Sequence, residues 1–150
     1  MKNKVVLFMP LRYDKAMTHL STNQALPLEL LAISGPLLGR GFDVVIVDAN
    51  VEEDYLTKVC DECRGALCFG ISAIFGYQVY DGYRTAAAIR ECRPEIPIVW
   101  GGWFPSTDAE ILFKEGVTDF VVVGQGEDTF LELVTALRNG REPETLKGIV

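Results

Sequence analysis

Two short segments of this chain carry the residue types best suited to hold a ligand: Gly101-Gly102-Trp103-Phe104-Pro105-Ser106 and Gly124-Gln125-Gly126-Glu127. Each follows an apolar run directly and precedes a helical pattern. Glycine has no Cβ, so the backbone can turn tightly there and offer bare N–H and C=O groups to a large flat molecule. Glu127 and Asp128 already occupy the positive end of the helix that follows the second loop, and they would repel a phosphate. A neutral, amide-rich ligand suits the pair of loops better. Elsewhere the chemistry is sparse. Cys60-x-x-Cys63 with Cys68 lacks a well-placed fourth ligand for zinc or a cluster. The single histidine, His19, reads as a surface residue, and Asp48 reads as the cap of a turn. No catalytic residue and no metal ligand is assigned.

These loops must be positioned by the elements around them. Nearly continuous apolar, β-branched runs occur at Val5–Met9, Val44–Val47, Leu67–Ile71, Ile98–Trp100 and Phe120–Val123, as expected of strands covered on both faces. Between them lie amphipathic, helix-length stretches. The first carries Leu26, Leu30, Ile33 and Leu37 on one face, with Pro27 in its opening turn, Gly41 past its end and Pro36 expected to kink it. Further helices are predicted at about Glu53–Cys63 and Gln78–Arg93. The fourth is predicted to open at a Ser106 or Thr107 cap, with Thr107-x-x-Glu110 as a capping box, and the fifth covers about Asp128–Asn139.

Five such βα units force parallel pairing through right-handed crossovers. The expected fold is α/β: a flavodoxin-like, doubly wound, five-stranded parallel sheet of order 2-1-3-4-5 with helices on both faces. Ligands of such sheets bind beyond the carboxyl ends of the strands. That edge comprises Pro10–Gln24, Asp48–Asn50, Ser72–Tyr77 and the two glycine loops. The first segment is about 14 residues long where roughly 2–6 are usual, and it is expected to cover a ligand.

With 150 residues, the whole chain (1–150) reads as one domain. Its formal net charge is −7, with no basic cluster, so nucleic acid is an unsuitable partner. No segment has the pattern of a membrane span or signal peptide, which points to the cytoplasm, where the four cysteines are expected to remain thiols without a disulfide. Several usual ligands of this frame are disfavoured. Met9-Pro10-Leu11-Arg12-Tyr13 replaces the glycine-rich turn that a dinucleotide needs. A flavin phosphate would find no Ser/Thr loop before Ser21-Thr22. The third strand ends in Gly70-Ile71-Ser72, without the aspartate of a phospho-acceptor receiver.

The chain resembles the cobalamin-binding domain at the N-terminus of cobalamin-dependent radical S-adenosylmethionine enzymes. The resemblance covers nearly its whole length. It rests on Leu26-Pro27-Leu28-Glu29-Leu30-Leu31-Ala32, Gly41-Phe42-Asp43-Val44 with Val47-Asp48, Gly70-Ile71-Ser72, both glycine loops, and Thr129-Phe130-x-Glu132-Leu133. Phe104 stands where similar sequences often have histidine. The Asp-x-His-x-x-Gly motif that ligates cobalt from below in mutase-type proteins is absent. The resemblance therefore implies cobalamin held base-off without a histidine ligand.

For a corrin, Ser72, Ala73, Gly101, Gly102, Gly124 and Gly126 would supply a flat floor, extended through Gln125 and Glu127. Ile74, Phe75 and Tyr77 are then expected under the cobalt face, and Trp103 and Phe104 at the corrin edge. The detached nucleotide tail is expected in the crevice beside the first strand, near Ser72 and the opening of the fifth helix, where Thr129 assists. The resemblance further implies a parent chain whose radical S-adenosylmethionine domain binds S-adenosylmethionine and a [4Fe–4S] cluster. These residues contain no Cys-x-x-x-Cys-x-x-Cys. The domain is expected to be excised from that parent and to bind cobalamin without catalysing, while the whole enzyme performs methyl transfer or cobalamin-assisted radical chemistry. The competing reading is a non-cobalamin protein-interaction module on the same flavodoxin-like frame.

Overall fold

The apolar runs form strands and the amphipathic stretches pack over them. The computed structural model describes residues 3–14, 16, 25–143 and 146–150. The elements in chain order are β1 (Lys4–Met9), α1 (Leu28–Gly39), β2 (Asp43–Asp48), α2 (Tyr55–Glu62), β3 (Cys68–Ser72), α3 (Tyr77–Cys92), β4 (Ile98–Gly101), α4 (Trp103–Lys114), β5 (Phe120–Val121) and α5 (Glu127–Arg138). All strand pairs are parallel, and the sheet order is β2-β1-β3-β4-β5, as predicted.

Alternate residues of each strand feed two separate cores. Val6, Phe8, Phe69, Ile71, Ile98 and Trp100 pack with Val59 of α2, Ile89 of α3 and Leu112 of α4. Val5, Leu7, Met9, Cys68, Val99 and Val122 pack with Leu30 and Leu37 of α1 and with Phe130, Leu133 and Val134 of α5. Two helices therefore cover one face and three the other. Because every strand runs the same way, the loops that precede α1 to α5 all gather at one edge.

Several local expectations are corrected. Leu26 lies before α1 and is exposed, while Ser34 joins Leu30 and Leu37 on the buried side, its hydroxyl bonded to Leu30 O at 2.6 Å. Pro36 falls in the last turn, and the helix continues to Gly39. Helix α4 begins at Trp103, not at a Ser106 or Thr107 cap, because Gly102 adopts φ +101°, ψ −171° and turns the chain at once. The Thr107 hydroxyl bonds back to Phe104 O at 3.1 Å, and the helix breaks at Asp108 (φ −130°, ψ 36°), so the capping signal marks an internal break. After β5, Val122 pairs antiparallel with Ile149, so the C-terminal segment covers the outer edge of β5.

The expectation of free thiols fails for one pair. Cys60 of α2 and Cys92 of α3 form a disulfide that joins neighbouring helices on one face. Sequence alone gave no reason to pair residues 32 positions apart on different helices. Cys63 and Cys68 remain free and buried, and burial pushes the Cys63 thiol up to about 12, so it is inert near neutrality. Closing a loop of that length constrains the unfolded chain by about 4 kcal/mol. Cys60→Ser is expected to lose that stability in urea unfolding without reductant, and reductant is expected to abolish the difference from the parent protein.

Candidate functional site

The sheet edge below the helix openings is held together by backbone and hydroxyl bonds between successive loops. After β3, the Ala73 N–H donates to Gly101 O at 3.1 Å, and the Phe104 N–H donates to Ile74 O at 3.1 Å. The buried amide of Gln78 accepts from the Ile74 N–H at 3.1 Å, while its NH2 approaches Met9 Sδ at 3.3 Å. Gly102 sits so close to the third loop that a Cβ there would lie 2.5 Å from Ala73 O. Ser106 links the two glycine loops directly. Its hydroxyl donates to Gly102 O at 2.7 Å and accepts from the Gly124 N–H at 3.0 Å.

Beside this shelf lies a cleft of about 200 Å³, set between α1 and α5 above β1, β3, β4 and the residue following β5. Its walls are apolar: Leu7, Leu30, Ile33, Val99, Val122 and Phe130. A Cβ on Gly70 would meet Leu7 Cδ2 at 2.9 Å and Phe130 Cζ at 3.4 Å, so those two side chains pack directly against the glycine. Polar groups come from the ends of elements: Glu29 in the first turn of α1, Ser72 at the end of β3, Gln125, and Glu127 opening α5. They lie at the carboxyl edge of the sheet, where these elements begin or end.

Seven sequence-predicted residues line this cleft together: Ser72, Gly101, Gly102, Gly124, Gln125, Gly126 and Glu127. Ala73 is fully buried behind them. Ile74 and Phe75 lie exposed on the adjoining loop, and Phe75 packs on Trp103 with ring centroids 5.7 Å apart. These two rings are 63% and 62% exposed and stand clear of the cleft, so they do not plug it. Phe104 is half-buried against the core and Trp100 is wholly inside it, its indole N–H donating to Val117 O at 2.9 Å. Tyr77 opens α3 and packs on Tyr80. Thr129 faces the C-terminal segment instead, with its hydroxyl beside Gly148.

The loop after β1 is pinned where it begins. Fully buried Asp81 accepts from the Leu11 N–H at 2.9 Å and from the Tyr55 hydroxyl at 2.6 Å. Burial, then the bond to Asp81, raises the Tyr55 phenol and keeps it neutral. Asn50 accepts from the Arg12 N–H and donates to Pro10 O, and Asp48 accepts from Asn50, which makes Asp48 a turn-ordering residue. His19, with Lys15, Ser21, Thr22 and Asn23, lies outside the described residues, as does most of this loop. Among the described residues no cluster of three acidic, cysteine or histidine side chains could hold a metal ion, and no helix is long and apolar enough to cross a membrane.

The α1 and α5 walls were missed as site residues. Leu30 and Phe130 read as ordinary core positions of amphipathic helices, and nothing in their spacing says that the two helices flank a cleft. The crevice itself was expected beside the first strand, near Ser72 and the opening of the fifth helix, without either wall being named.

Comparison with known proteins gives a consistent set of likenesses. The family model described as B12 binding domain matches residues 15–134. The chain is 37% identical over 128 residues to the anaerobic magnesium-protoporphyrin IX monomethyl ester cyclase of Synechocystis, covering 82% of this chain and 26% of that protein. The chain thus spans about a quarter of that relative's length. Among solved structures, the radical S-adenosylmethionine methyltransferase TsrM of Kitasatospora setae, with cobalamin and a [4Fe–4S] cluster bound, superposes with a TM-score of 0.81. It shares 21% identity, with 99% of this chain and 29% of that chain covered. The cobalamin-dependent S-adenosylmethionine radical enzyme OxsB, with aqua-cobalamin bound, gives 0.79 at 18% identity, with 99% and 20% covered. At these identities the two structures share the fold.

Proposed function

Because this chain belongs to the B12 binding domain family, we propose that it holds cobalamin base-off, with no histidine beneath the cobalt, as the carrier domain of a radical S-adenosylmethionine enzyme. The observation that carries the reading is an open, glycine-edged shelf joined to a narrow apolar cleft. A corrin rimmed by amides needs exposed backbone partners on a flat surface, and the loops after β3, β4 and β5 offer them. Its nucleotide tail, once detached from the metal, needs a separate slot, and the α1–α5 cleft is the slot available.

In this reading Gly101, Gly102, Gly124 and Gly126 carry the ring, Ser106 keeps the two glycine loops at a fixed separation, and Ser72 stands at the entrance for the tail. Ile74, Phe75 and Tyr77 would present an apolar surface toward the metal, while Trp103 and Phe104 would border the ring. Bound there, cobalamin would supply methyl-transfer or cobalamin-assisted radical chemistry. The chain's own residues bind it, orient it and exclude water. S-adenosylmethionine and the [4Fe–4S] cluster belong, in this reading, to a catalytic domain of a longer parent, supported by the small share of its relatives that the chain spans.

Incubating the 150-residue chain with hydroxocobalamin under reducing, anaerobic conditions and then desalting is expected to leave a visible band of the base-off form. The spectrum is expected to be unchanged in His19→Ala. A colourless folded protein would overturn the reading, and a cobalt–histidine signature would overturn its ligand-free part. The exposed Phe75–Trp103 pair favours one second reading, an interaction module that docks a partner through those rings. Cofactor retention that is lost on removal of both rings would count against it.

A further inference from the structure

The cleft between α1 and α5 has a composition that distinguishes among ligands of one family. Its deep part is hydrocarbon, formed by Leu7, Leu30, Ile33, Val99, Val122 and Phe130. Its polar side chains come from the ends of elements at the carboxyl edge of the sheet, and Gly70, two residues back along β3 from Ser72, lies against Leu7 and Phe130. A group that enters fully can therefore satisfy polar atoms on its outer edge but not on its inner one.

We infer that this cleft selects the class of base on a cobamide's nucleotide tail, accepting a benzimidazole and discriminating against a purine. The inference rests on the cobalamin reading above. Dimethylbenzimidazole presents two methyl groups and a hydrocarbon edge to the walls, with one free ring nitrogen to direct toward the mouth. Adenine carries acceptors and an exocyclic amine around much of its rim. At least one of these must face Val99, Val122 or Phe130 without a partner. Each polar group stripped of water and left unpaired lowers affinity roughly tenfold or more. Burial of the two methyls adds to the difference in the same direction.

The test measures dissociation constants of the 150-residue chain for cobalamin, its adenine-bearing analogue and cobinamide, which lacks the nucleotide. Cobalamin is expected to bind at least about tenfold tighter than the adenine analogue, and tighter than cobinamide. Val122→Thr and, separately, Val99→Thr each place one hydroxyl in the wall with little change of volume. At least one is expected to narrow the preference several-fold. Equal or reversed affinity for the two complete cobamides overturns the inference, as does cobinamide binding as tightly as cobalamin. So does an undiminished preference in both threonine variants when they still bind cobalamin. Failure of all three ligands to bind overturns the cobalamin reading itself.

Discussion

Gly102→Ala is expected to destabilise the protein by about 4 kcal/mol and to abolish retention of cobalamin on desalting. Two independent costs add. At φ +101°, ψ −171° the residue occupies a region essentially closed to side chains. A Cβ there would also lie 2.5 Å from Ala73 O and 3.0 Å from Ala73 N, both backbone atoms that cannot swing aside. Relief requires the third and fourth loops to separate, which stretches the Ala73–Gly101 and Phe104–Ile74 bonds and the Ser106 link to Gly124. The shelf and the stability should therefore fail together, read by urea unfolding and by the visible band. Gly124→Ala is the informative control. Its φ is +77°, but a Cβ would meet nothing within 4 Å, so only the backbone strain of roughly 1–2 kcal/mol should appear. Equal losses in the two variants would refute the close-approach argument.

Removing Trp100 is expected to cost a similar amount for a different reason. The ring is fully buried between β4 and α3, and its indole N–H satisfies Val117 O. Trp100→Ala removes the largest buried side chain, for about 4 kcal/mol, or about 10 °C in Tm for a chain of this size. The ring fits because α3 has no side chain at Gly82, where a Cβ would stand 2.8 Å from Trp100 Cη2 and 3.1 Å from Cζ3. Gly82→Ala alone should destabilise by about 2 kcal/mol through overpacking. In a Trp100→Phe background, whose smaller ring leaves that space, its cost should fall by at least half. Additive losses in this double-mutant cycle would mean that the two residues do not share the contact.

The approximate positions of the strands follow from sequence because each holds a nearly continuous apolar run, as a sheet covered on both faces requires, although the fifth ends at Val121, two residues short of the run expected. The alternation with helices then restricts the topology, since parallel strands require crossovers of one hand. The glycine loops fall at the ligand edge for the same reason: in a parallel sheet, every segment that follows a strand lies at one end. None of this needs knowledge of what touches what.

Tertiary packing decided the rest. Residues 60 and 92 meet only because α2 and α3 lie side by side on the sheet. The start of α4 depended on a glycine conformation imposed by Ala73, 29 positions earlier, and the Thr107 cap signal was satisfied locally by Phe104 O instead. The cleft depended on which side chains of α1 and α5, among them Leu30, Ile33 and Phe130, come together beside Gly70. Periodicity tells which face of a helix is buried; it carries no information on the gap left between two buried faces, and in this protein that gap is the proposed tail slot.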